Sequence, residues 1–161
     1  EELLNGADPE LKGDLVPVII DDKGNVIYAD IEEKWYSYES KSWANAVILK
    51  NRKNYKKGDI INEEDIKQYY VWIPRFRYQL WNVDSNSNYP NGNQETPIDI
   101  VFENKNEKIS NGTKNGEWLT HPAFTSLNTN GIWVGKFETS YNEETYTNKS
   151  LFLKQNIIKV K

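Results

Sequence analysis

Read as a pattern of polar and apolar positions, the chain is a succession of short β-like runs separated by polar, turn-forming loops. Val16-Pro17-Val18-Ile19-Ile20 predicts a strand, and Pro17, with no N–H to give to a ladder, points to a sheet edge. Asp21-Asp22-Lys23-Gly24 is turn chemistry with Gly24 suited to a positive φ, and Asn25-Val26-Ile27-Tyr28-Ala29 returns as the second strand of a hairpin. Trp35-Tyr36-Ser37-Tyr38 reads either as a strand or as an aromatic loop packed on that hairpin. Trp43 to Leu49 predicts a third strand.

The aromatic-rich stretch from Tyr69 to Trp81 is the most distinctive segment. Before Pro74 both alternating faces are apolar, as in a strand buried on two sides. After it Arg75, Arg77 and Gln79 fall on one face and Phe76, Tyr78 and Leu80 on the other, so the chain is expected to leave the deep core at Pro74. Ile98 to Glu103 alternates cleanly, Gly131 to Thr139 reads as a further strand, and the tail carries two more β-like runs, Leu151-Phe152-Leu153 and Ile157 to Val160. The helical signal is small: Asn62 as an N-cap before Glu63-Glu64-Asp65-Ile66-Lys67-Gln68 predicts one short helix. The expected class is therefore α+β and β-rich, with antiparallel sheets and one or two short helices.

Composition narrows the chemistry. The chain has 161 residues, 37% of them hydrophobic, with six Trp and ten Tyr, so large rings must supply much of the core. A net charge of -4 with scattered lysines weakens a nucleic-acid reading, because phosphate binding rests on a concentrated positive surface. With no cysteine there is no disulfide, thiolate metal site or cysteine nucleophile in these residues. No run approaches the roughly 20 apolar residues of a membrane helix. The absence of any Met, an initiator included, is expected of a processed product, an excised fragment or a recombinant piece.

Several constellations carry candidate chemistry. Arg75 and Arg77 stand among rings that include Tyr78 and Trp81, and could form a ligand-binding platform, since rings stack on sugar faces and arginine donates to hydroxyls and carboxylates. The competing reading is a core strand whose arginines pair with neighbours such as Glu138. Asp84, Asn86, Asn88 and Glu95 reproduce loop positions one, three, five and twelve of an EF-hand calcium site. Tyr89 occupies the sixth position, where glycine makes the sharp turn, and the flanks read as strands, so the loop is expected to be a polar hairpin and no cofactor is expected. His121, the only histidine, has no recognisable nucleophile beside it and is read as a hydrogen-bonded structural residue. Asp99 and Glu103 share one strand face roughly 13 Å apart, beyond the roughly 5 to 9.5 Å of paired glycosidase carboxylates, and are read as a solvated face. Asn111-Gly112-Thr113 and Asn148-Lys149-Ser150 match the glycosylation sequon, as chance alone produces in so Asn-rich a chain.

The order Tyr70-Val71-Trp72-Ile73-Pro74, polar loop, His121-Pro122-Ala123-Phe124, then Gly131 to Thr139 resembles the opening of domains like the formylglycine-generating enzyme, which share a C-type-lectin-like fold. The upstream stretch from Gly13 to Val47 is similar to the leader module of Gram-positive surface proteins that carry such a domain, often behind a pilin-like export segment. The resemblance implies an N-terminal β-hairpin module over residues 1–50 and a lectin-like domain over 51–161, in its N-terminal half or a trimmed form. The family's catalytic cysteines, calcium sites and signature aspartate-methionine-serine-glycine strand have no counterpart before Lys161, so no catalytic residue carries over. The expectation is a non-enzymatic extracellular module of a cell surface or filament, partnered by itself, another surface subunit, or a glycan or protein ligand. A phage tail or receptor-binding component and an enzyme of the formylglycine-generating class are the alternatives.

Overall fold

The computed structural model describes residues 6–79, 99–106, 118–137, 139–141 and 153–155. In chain order the strands are β1 (Leu15–Ile20), β2 (Val26–Tyr28), β3 (Asn45–Leu49), β4 (Ile60–Ile61), β5 (Ile66–Pro74), β6 (Phe76–Gln79), β7 (Asp99–Phe102), β8 (Trp118–Thr120), β9 (Gly131–Gly135), β10 (Thr139–Tyr141) and β11 (Leu153–Gln155). Among the described residues there is one α-helix, α1 (Pro122–Leu127). The fold is thus β-rich, built from antiparallel sheets with very little helix. It divides into two compact units, one of Glu1–Pro9 with Ile73–Ile132 and one of Glu10–Trp72 with Trp133–Lys161.

The second unit is organised by a six-stranded sheet in the order β4-β2-β1-β3-β5-β9. The β1–β2 hairpin forms as its turn residues dictate. Gly24 adopts φ +83, and the Asp21 carboxylate accepts from the Lys23 and Asn25 backbone N–H groups at 3.0 and 2.7 Å. Pro17, however, is not on an edge, because β1 pairs with both β2 and β3. Its carbonyl accepts from the Ala29 N–H at 2.9 Å, just past the end of the β1–β2 ladder. The missing N–H therefore falls where that ladder has already stopped, which is what lets a proline sit in an interior strand.

Register assigns each face of this sheet its own core. Val16 opposes Val47, which opposes Tyr69, and these join Val18, Val26, Leu49, Ile61 and Ile66 in one buried cluster. A register shift between Ile48 and Leu49 makes β5 bulge at Lys67, so Ile66 joins the same face as Tyr69 although three positions separate them. On the other face Pro17, Ala46 and Tyr70 are in line, and the small Ala29 and Ala44 leave room for Trp35 and Trp72. Trp133 packs on Trp72 with ring centroids 5.3 Å apart, and its indole N–H donates to the Glu10 carbonyl at 2.8 Å. Trp35 to Tyr38 is an irregular aromatic loop with a single bridge, Ser37 to Ser42, and the Tyr38 hydroxyl donates to the Trp72 carbonyl at 3.0 Å.

Two expectations change here. Residues 69 to 73 are not uniformly buried on both faces: Tyr69 and Trp72 are, while Tyr70, Val71 and Ile73 are half-buried. The short helix after Asn62 is only a 3-10 turn, Glu63–Asp65, and the Asn62 side chain caps nothing. The β-branched Ile66 that follows begins β5 directly, and pairing with β3 replaces a second helical turn. β10 and β11 form a separate two-stranded ladder, while Ile157 to Val160 lies outside the described residues.

In the first unit β6 is the middle strand of a three-stranded sheet, β7-β6-β8. The aromatic stretch that reads as one strand is therefore two, broken at Arg75 and shared between different sheets. Helix α1 follows β8, with His121 as its N-cap, Pro122 at its start and Asn128 in the left-handed conformation at its end. Its Phe124, 1% exposed, meets Phe76 edge-on at 5.4 Å.

Candidate functional site

Successive residues of a strand point to opposite faces, and that alone divides the arginine stretch. Phe76 and Tyr78 share a face with Phe102, Ile100 and Leu119, their register partners. Arg77 lies on the other face, opposite Val101 on one side and Thr120 on the other. Arg75, just before β6, shares Arg77's face and is fixed at both backbone groups: its N–H donates to the Asn130 carbonyl at 2.8 Å and its carbonyl accepts from the Glu103 N–H at 3.1 Å.

That backbone bond places the Glu103 carboxylate between the two guanidiniums. Arg75 Nε donates to Glu103 Oε1 at 2.7 Å, and Arg75 Nη1 donates to the Phe124 and Thr129 carbonyls at 3.2 and 3.3 Å. The Thr120 hydroxyl gives Oε1 a second donor at 2.8 Å. Arg77 Nε stands 3.3 Å from the other oxygen, Oε2, but at an angle that makes no hydrogen bond, so attraction there is purely ionic. The side chains of Arg75 and Glu103 are 1% and 0% exposed, whereas that of Arg77 is 28% exposed. The Arg77 guanidinium also lies over the Trp118 ring, 5.8 Å from its centroid.

The residues singled out from the sequence thus separate. Arg75 is sealed inside the unit and has no surface to offer a partner. Arg77 reaches solvent, Tyr78 points to the opposite face, and Trp81 lies outside the described residues. The calcium spacing of Asp84, Asn86, Asn88 and Glu95 also lies outside them, as do both sequons and the Glu138 side chain. His121 is exposed, and its Nδ1 accepts from the Ala123 backbone N–H at 3.2 Å, a hydrogen-bonded structural role. Among the described residues no group of three or more His, Asp or Glu side chains is placed to hold a metal ion.

Glu103, Thr120 and Trp118 are the members that the sequence reading missed. Glu103 was expected on a solvated face, yet it is the most deeply buried carboxylate among the described residues. The signal was present in the arginines: a buried guanidinium requires an acceptor of opposite charge, and Glu103 ends the alternating run that pairs with the arginine strand.

The second unit holds a different feature, a groove of about 200 Å³ lined by Leu11, Leu15, Pro17 and Ile31 together with Arg52 and Lys57. Both of its cations have partners. Arg52 Nη2 donates to the Tyr28 hydroxyl at 3.1 Å, and Lys57 Nζ lies 2.6 Å from Asp30 Oδ1. That contact holds the Asp30 carboxyl below its ordinary range and lifts the Lys57 ammonium above its own.

Comparison with known proteins finds no matching family model, no matching curated protein and no matching solved structure.

Proposed function

We propose that the chain is a non-enzymatic extracellular module of a cell surface or filament, with C-type-lectin-like architecture, that contacts its ligand or neighbouring subunit through the Arg77 face. The observation that supports the reading is the adjacency of the two strands that carry the family resemblance. The Val71-Trp72-Ile73-Pro74 strand, β5, and the Gly131–Gly135 strand, β9, are neighbours in the six-stranded sheet. The Lys136 N–H also donates to the Tyr69 carbonyl at 3.0 Å. The two motif strands, far apart in sequence, thus lie side by side in one sheet, and this adjacency supports reading them together.

Protease shaving of intact producing cells, with mass spectrometry of the released peptides, tests the location. Release of peptides from this chain without cell lysis is the expected result, and recovery only from the cytoplasmic fraction overturns the reading. Light scattering of the purified protein separates the two assemblies: a polymer fits a filament, while a homotrimer favours a phage tail component.

A further inference from the structure

The chain has three arginines, and the structure gives them three different fates. Arg52 is engaged by the Tyr28 hydroxyl, and Arg75 is enclosed, with Nε on Glu103 and Nη1 on two carbonyls. Arg77 is held in place without being consumed. An ionic contact to Glu103 and the Trp118 ring restrain its guanidinium, yet no acceptor among the described residues takes a hydrogen bond from it.

Charge points the same way. Among the described side chains the cluster joins two guanidiniums to one carboxylate, leaving one positive charge over. It resides on the member nearer solvent, because Arg75 and Glu103 neutralise each other at 2.7 Å out of reach of water. With Nε turned toward Glu103, the end-on fork of Nη1 and Nη2 meets no acceptor among the described residues, and its geometry matches the two oxygens of a carboxylate. Restraint by Trp118 removes part of the rotamer freedom that ligand binding would otherwise cost. The half-buried indole adds an apolar ring beside the charge.

From this arrangement we propose that Arg77 and Trp118 form the binding site for a carboxylate-bearing sugar, a uronic acid residue of an acidic glycan, with Arg77 clamping the carboxylate and Trp118 meeting the apolar face of the sugar ring. The proposal rests on the reading of the chain as a surface binding module and supplies its ligand class. Glu103 acts as a positioning residue, tethering Arg77 without touching the ligand.

Calorimetric titration of the purified protein with a short oligogalacturonate, its methyl ester and free acetate tests the site, with chemical-shift mapping of the Trp118 indole. Wild type is expected to bind the acid saturably, with the Trp118 signal moving. The ester, which presents no anion, should bind roughly tenfold more weakly or worse, since a hydrogen bond to a charged partner is worth about 1.5–3 kcal/mol. Arg77→Gln should lose a similar factor, Arg77→Lys should recover only part of it, and added salt should weaken the wild-type complex. No saturable binding of the acid, equal binding of acid and ester, or acetate binding as tightly as the oligosaccharide would each overturn the proposal. The comparison of acid, ester and acetate needs wild type alone, so it stands even where Arg77→Gln fails to fold. Cell shaving reports on location independently, so a surface protein that ignores uronates sinks the ligand and leaves the module reading in place.

Discussion

Replacing Glu103 by alanine deletes the only carboxylate among the described residues in contact with Arg75, whose side chain is 1% exposed, and also removes the acceptor of the Thr120 hydroxyl. The guanidinium is left behind without its anion, and an orphaned partner of a buried ion pair costs about 3–5 kcal/mol. Against a total stability of about 5–15 kcal/mol for an ordinary domain, that is a severe loss. Glu103→Gln separates the contributions. It keeps an oxygen for Arg75 Nε and Thr120 but removes the charge, and should cost about 2 kcal/mol, about 1 kcal/mol of charge advantage at each of these two hydrogen bonds. Replacing both partners, Arg75→Met with Glu103→Leu, should cost less than Glu103→Ala alone, because no buried charge is then left unpaired. Urea unfolding followed by ellipticity gives the free energies. Hydrogen exchange at the Arg75 and Glu103 amides, bonded to Asn130 and Arg75 carbonyls, localises the damage. A Glu103→Ala cost below about 1 kcal/mol with both amides still protected would refute the reasoning, since mutations at solvated surface positions are the ones that cost so little.

Three further outcomes are expected. Trp72→Ala, at 2% exposure against Ala44 and Trp133, should lose about 3–5 kcal/mol, whereas Trp43→Ala, at 48% exposure, should lose less than about 1 kcal/mol; equal losses in thermal melts would contradict the assignment of faces. Gly6→Ala should destabilise more than Gly24→Ala. Both positions have positive φ, a strain of about 1–2 kcal/mol for a side chain, but a Cβ on Gly6 would also lie 2.6 Å from the Pro74 Cβ, while one on Gly24 meets nothing within 4 Å. Burial pushes the Tyr69 phenol up to about 12 from its ordinary 10, so the folded state keeps a proton that the unfolded chain has released. The associated stability is complete below pH 10 and is lost as pH rises toward 12, and Tyr69→Phe should flatten that decline in urea midpoints. An unchanged alkaline slope in the phenylalanine variant would show that Tyr69 ionises freely.

Local chemistry made part of this protein legible without coordinates. The β-rich class, the Asp21 to Gly24 turn and the strands of the first hairpin all follow from alternation, β-branching and turn residues, which act over a few positions, whereas the expected exit from the core at Pro74 does not occur, since Pro74 and Arg75 are both fully buried. What failed was whatever depended on a distant neighbour. Pro17 reads as an edge residue until the ladder beside it proves already to have ended. Asn62 reads as a helix cap until Ile66 is captured by β3. Glu103 reads as solvated because nothing within ten residues of it carries a positive charge except lysines, and its true partners, Arg75 and Arg77, lie across a strand pairing. The sequence by itself determined the β-rich class and the strands of the first hairpin, and it offered pairing with a carboxylate as one of two readings of the arginines. Only the tertiary structure decided which carboxylate that would be and which arginine would be left with donors to spare, because burial and charge pairing are properties of neighbours in space and a chain is read in order.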